Sequence, residues 1–158
     1  MNRLKLFIPI LFLFSTFFIS CKKEDAEVEV NHTSIIQTST FDRPNIRLGC
    51  LEISSRTVTI EAWDHGQIDG DIVSIIANGD VIINEQTLDG PGNKISVDYE
   101  FNYNGYNYLT LYAHNEGTIS PNTCAISING VEYILRANLL SNGSIDVVVN
   151  GFGVECQP

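Results

Sequence analysis

After Arg56 the chain alternates apolar and polar residues along most of its length. In TVTIEAW, Val58, Ile60 and Ala62 fall on one face and Thr57, Thr59, Glu61 and Trp63 on the other, the period of two that a half-buried strand presents. The pattern returns in DIVSIIANGDVIIN, NKISVDYEFNYNGYNYLTLYAHN, CAISINGVEYILRA and GSIDVVVNG. Asn78-Gly79, Asn104-Gly105 and Asn129-Gly130 each divide such a run, and Asn-Gly readily takes the positive φ angles that a two-residue hairpin turn requires. No window carries a helical period. Short strands punctuated in this way predict an all-β protein, an antiparallel β-sandwich of about seven to nine strands, Ig-like or jelly-roll-like. Val73, Ile75, Leu109, Leu111, Ile126 and Ile128 are its expected core.

The first residues break the alternation. MNRLKLFIPILFLFSTFFISC sets Arg3 and Lys5 before an apolar run from Leu6 to Ile19, followed by Ser20 and Cys21, the layout of a secretory leader. The run is shorter than the roughly 20 apolar residues a membrane span needs. FISC resembles the lipobox of bacterial lipoproteins, with Phe18 where Leu is commoner. That resemblance implies a leader over residues 1–20, cleavage before Cys21, diacylation of the Cys21 thiol and attachment to a membrane through the lipid. KKEDAEVEV follows without apolar periodicity, so residues 21–47 read as an acidic tether ahead of a domain over 48–158. Its lysines and acids beside Cys21 resemble the export signal of surface lipoproteins in Bacteroidota, which implies an outer-membrane protein facing the cell exterior. A periplasm-facing lipoprotein is the alternative.

Charge narrows the partners. The chain holds 9 Lys+Arg and 19 Asp+Glu; losing Arg3 and Lys5 with the leader leaves 7 basic residues against 19 acidic, a net charge of -12. Phosphate recognition needs a basic patch, so nucleic acid is not an expected partner. With Cys21 committed to lipid, Cys50, Cys124 and Cys156 remain, an odd number for an oxidising compartment. Cys50 opens the expected domain and Cys156 closes it, so a bridge between them would pin its first and last strands, while Cys124 lies in a strand run and reads as a small packed residue. No Cys or His spacing fits a zinc site.

Two blocks, VTIEAWDHGQIDGDIVSIIANG and LTLYAHNEGTISPNTCAISI, together resemble a β-sandwich module of secreted and lipid-anchored Bacteroidota proteins, whose pattern runs WD, DGD, VS, NG and then A, N, EG, PNT. The resemblance implies an accessory module without known catalytic residues, and Cys124 stands where a small apolar residue is more usual.

The densest candidate chemistry is WDHGQIDGDIVSI. Asp64, Asp69 and Asp71 are candidate oxygen ligands for a metal, and calcium is the ion whose preference for carboxylates and carbonyls they match, although no EF-hand spacing is present. The simpler role is turn capping through the backbone, with Gly70 supplying the bend. His65 and His114 both follow strand ends, where a shared site between two loops or two separate solvated rings are both open. Tyr106, Tyr108 and Tyr112 are candidate ligand-binding residues, since alternation places Tyr108 and Tyr112 opposite Leu109 and Leu111; cross-strand packing is their other role. There is no GxSxG elbow and no phosphate loop. The expected function is a non-catalytic, lipid-anchored binding or accessory subunit of a larger outer-membrane assembly, with an outer-membrane protein as partner. Its rival is a calcium-dependent glycan-binding module for polysaccharide capture.

Overall fold

The computed structural model describes residues 37–157. The expected leader, Cys21 and most of the expected tether lie outside the described residues.

Among the described residues ten strands form two sheets: β1 (Ser39–Thr40), β2 (Arg43–Ile53), β3 (Thr57–Asp64), β4 (Ile72–Ala77), β5 (Asp80–Thr87), β6 (Ile95–Glu100), β7 (Tyr106–Ala113), β8 (Asn122–Ile128), β9 (Val131–Ala137) and β10 (Asn142–Val149). One sheet runs β1-β2-β10-β7-β4-β5 and the other β6-β3-β8-β9, and the described residues contain no helix. All pairings are antiparallel except that of β2 with β10, which is parallel. The order β10-β7-β4-β5, with β6 on β3 opposite, reproduces the G-F-C-C′ and E-B pairings of an immunoglobulin-like sandwich. The β8–β9 hairpin is an insertion between the F-like and G-like strands.

The period of two sorts the side chains. Val58, Ile60 and Ala62 of β3 meet Val73, Ile75, Leu109, Leu111, Ile126, Ile128, Ile145 and Val147 in one core between the sheets. Each Val, Ile or Leu among them contributes about 1.5–3 kcal/mol by leaving water. Asn78-Gly79 joins β4 to β5 and Asn129-Gly130 joins β8 to β9, and all four residues take positive φ.

Four expectations need correction. Asn104-Gly105 does not close a hairpin: β6 pairs with β3 in one sheet, whereas β7 lies in the other. Phe101, fully buried, carries the chain across the core there, and Asn107 organises the connection by donating to Tyr103 O (2.9 Å) and accepting from Tyr103 N (3.1 Å). The expected boundary at residue 47 falls inside β2, and β1 precedes it, which brings the strands to ten rather than nine. The sheet is also not wholly antiparallel, because β2 enters beside β10 in the same direction.

A disulfide joins Cys50 of β2 to Cys156 beyond β10, with Cα atoms 5.6 Å apart. Cys124 is free and fully buried.

Four connections share one end of the sandwich: residues 65–71, 88–94, 114–121 and 138–141. Hydrogen bonds tie them together. Asp64 N donates to Asp89 O (2.8 Å), Leu88 N to Asp71 O (2.8 Å), His114 N to Ile72 O (2.8 Å) and Leu139 N to Glu116 Oε1 (3.3 Å).

Candidate functional site

Alternation along β3 makes Asp64 the last inward residue, after Val58, Ile60 and Ala62. Alternation along β4 likewise sets Asp71 inward, one step before Val73. Each strand thus ends its core-facing row with a carboxylate at the same end of the molecule. Asp64 is 3 % exposed and Asp71 2 %. Asp69, half-buried in the loop between them, completes a group in which one carboxylate oxygen from each residue lies within 4.8 Å of the others.

The three differ in their partners. Asp69 Oδ2 accepts the amides of Thr118 (2.8 Å) and Ile119 (2.6 Å), so it fastens the β3–β4 loop to the β7–β8 loop. Asp71 Oδ2 accepts Thr123 N (3.0 Å). Asp71 Oδ1 and both oxygens of Asp64 have no donor among the described residues. Asn115 braces the same corner, accepting Ile72 N (2.7 Å) and donating to Gly70 O (2.8 Å). Asn122, fully buried at the start of β8 on the face that carries Cys124 and Ile126, has an Oδ1 equally without a donor.

The electrostatics follow from burial without a counter-charge. Desolvation is the largest influence on Asp71 and raises its carboxyl from 3.8 to about 6; Asp69, Asp64 and Glu116 push the same way, and the Thr123 amide opposes them. Asp64 is also raised, first by desolvation and then by the Asp69 charge, with His65 opposing. The Asp69 amide offsets part of the shift, yet it lies outside hydrogen-bonding geometry, which leaves the Asp64 oxygens unpartnered. None of the three ion pairs among the described residues involves these aspartates. Next to them a cavity of about 270 Å³ opens to solvent, lined by His65, Gln67, Asp69, Asp71, Thr123 and Arg136 among others.

The chain matches no family model, no curated protein and no solved structure.

The remaining candidates are dispersed. His65 stays at the cavity, its N–H donating to Thr123 O (3.2 Å) and its carbonyl accepting Thr123 Oγ1 (2.8 Å). His114 turns to the outer face of the six-stranded sheet, where its Nε2 is 2.9 Å from Ser74 Oγ. The two rings do not share a site. Ser74 is buried, also accepts Glu85 N (3.0 Å), and does not line the cavity.

Tyr106, Tyr108 and Tyr112 do not form an open contact surface. Tyr106 Oη donates to Glu155 O (2.7 Å). Tyr108 is buried, with its hydroxyl against Gln37 Oε1. Tyr112 is held between the Phe41 ring (centroids 5.3 Å apart, edge-on), the Arg43 guanidinium (4.0 Å) and His114. The segment from Gln37 to Arg43, taken from the sequence as tether, covers this face instead.

Sequence reasoning also missed an apolar rim at the loop end. Ile68, Ile119 and Leu139 are about half exposed and Leu140 is 81 % exposed, on three of the four connections. The signal was available in Leu139-Leu140, two consecutive apolar residues in a segment that is not a strand.

Proposed function

We propose that the protein is a lipid-anchored, non-catalytic binding module that docks through the loop end of its sandwich onto a protein of the outer membrane. The observation that carries this reading is the set of exposed Ile68, Ile119, Leu139 and Leu140 at the loop end, in loops cross-linked by hydrogen bonds, with Ile119 also lining the polar cavity. Exposed aliphatic side chains gathered at one end of a domain mark an interaction surface, because they gain by leaving water. FISC and KKED support the anchor and its outward orientation. A lipid tether confines the module to the membrane surface, which raises the effective concentration of any partner there.

Replacing Leu139 and Leu140 together by Ser should abolish co-purification with the membrane partner after mild detergent extraction, at an unchanged melting temperature. Retained co-purification would refute docking through this rim. Cys21→Ala should release the protein from membranes, and protease added to intact cells should cleave the outward-facing wild type. The cavity favours a second reading, calcium-dependent glycan capture, since its carboxylates, amide and hydroxyl suit a ligand rich in hydroxyl groups. That reading requires polysaccharide binding that is lost in chelator.

A further inference from the structure

We propose that Asp64, Asp69 and Asp71 hold one calcium ion, which fastens the end of β3 and the start of β4 to the β7–β8 loop. The inference does not rest on the docking reading; it supplies an ion that the glycan reading needs, but stands without it.

Oxygens bound to one calcium at roughly 2.3–2.6 Å lie no more than about 5 Å from each other. The three carboxylates meet that limit, with oxygens within 4.8 Å of one another. They come from both strand ends and from the loop between them.

Unpartnered oxygens point to a ligand independently of the clustering. Turn capping accounts for Asp69 Oδ2, which accepts two amides, and for Asp71 Oδ2, which accepts one. It does not account for Asp64, whose side chain is almost wholly buried with neither oxygen paired, or for Asp71 Oδ1. A buried carboxylate with no donor and no cation is costly to the fold, and no ion pair among the described residues involves it. A divalent ion at this point would satisfy these oxygens together and offset the mutual repulsion of the three charges.

The donor set selects the ion. All three ligands are carboxylate oxygens, and Asn122 Oδ1, also buried and unpartnered, is a neutral oxygen at the same end. Such oxygens suit a hard cation, whereas zinc favours nitrogen and sulfur. The donors lie in loops and at strand ends rather than in a fixed octahedron, which favours calcium over magnesium, and the adjoining cavity admits the water that completes six to eight ligands.

The test uses the mature protein stripped with chelator. Calorimetric titration with calcium should show one site per chain with Kd of about 10⁻⁴–10⁻³ M or tighter, the range of extracellular modules. Melting temperature should rise with calcium, and terbium bound in its place should luminesce on excitation of Trp63, the single Trp of the chain and the neighbour of Asp64. Asp64→Asn should weaken calcium binding at least tenfold, yet in chelator melt no lower than wild type, because it removes an unpaired buried charge. Asp69→Asn, at a half-buried position, provides the same binding test if Asp64→Asn does not fold. The proposal is overturned if about 10 mM calcium, above the weakest such sites, gives neither heat nor a melting shift. It is equally overturned if the response survives both substitutions, which would place the ion elsewhere on this acidic chain, or if magnesium matches calcium.

Discussion

The Asp69 carboxylate fills the space that a side chain at Gly117 would need: a Cβ there would lie 2.4 Å from Asp69 Oδ1. Gly117 also has φ +56°, in the left-handed region. Because Asp69 is fixed by the amides of Thr118 and Ile119, it cannot swing aside without losing them. Gly117→Ala should therefore cost roughly 1–3 kcal/mol through backbone strain and crowding. Gly70 has φ +90°, but a Cβ added there would meet nothing within 4 Å, so Gly70→Ala should cost only the backbone penalty, about 1 kcal/mol. Urea unfolding of the two variants checks the difference. Equal costs would mean that Asp69 does not constrain Gly117.

The strands were legible because a half-buried strand writes its two faces into alternate residues, as Val58, Ile60 and Ala62 do against Thr57, Thr59 and Glu61. The Asn78-Gly79 and Asn129-Gly130 turns were legible for an equally local reason, their positive φ angles. Alternation does not say which sheet a strand joins, so Asn104-Gly105 read as a third hairpin although Phe101 sends the chain across the core. The first half of β2, around RPNIRLG, is largely exposed and carries little apolar signal, which is why it read as tether. The acidic loop was legible as composition only. Its convergence depends on Asp69 meeting Ile119, 50 residues away, a relationship that exists only once the sheets are packed.

Leu111 tests the core. It is fully buried and pairs across the sheet with Ile75 on one side and Gly143 on the other. Leu111→Ala should cost roughly 2–5 kcal/mol, the lost burial plus the cavity left behind. A cost near zero, measured by denaturant unfolding, would show that this position does not pack as described.

The Cys50–Cys156 disulfide spans 106 residues, nearly the whole described chain. Such a cross-link restricts the unfolded ensemble, so replacing both cysteines with Ser should lower stability by about 2–5 kcal/mol. The parallel register of β2 on β10 does not depend on the bridge, since Leu51, Glu52 and Ile53 pair with Val147, Val148 and Val149 beyond it. The variant should accordingly keep the β-sheet circular dichroism of the wild type while its denaturation midpoint falls. An unchanged midpoint would show that the bridge adds nothing beyond the strand pairing.

Tyr99 sets an alkaline limit. Its hydroxyl lies 3.2 Å from both Ala77 O and Asp80 Oδ2, and it packs edge-on against Phe101. Burial, followed by the nearby Asp80 charge, raises it from 10.0 to about 12. Below pH 10 the phenol is protonated in both folded and unfolded chains, and its contribution to stability is complete. Between pH 10 and 12 the unfolded chain gives up this proton first, so the folded chain binds more protons and stability falls as pH rises. Tyr99→Phe loses the hydrogen bonds and should be less stable near neutrality, by about 0.5–1.5 kcal/mol. It cannot titrate, so the gap between wild type and variant should close and then reverse between pH 10 and 12 in denaturant unfolding, because a rise from 10.0 to about 12 outweighs the lost hydrogen bonds. A gap that stays constant across that window would mean that the Tyr99 hydroxyl titrates alike in the folded and unfolded chains, and that the Asp80 contact does not hold it protonated.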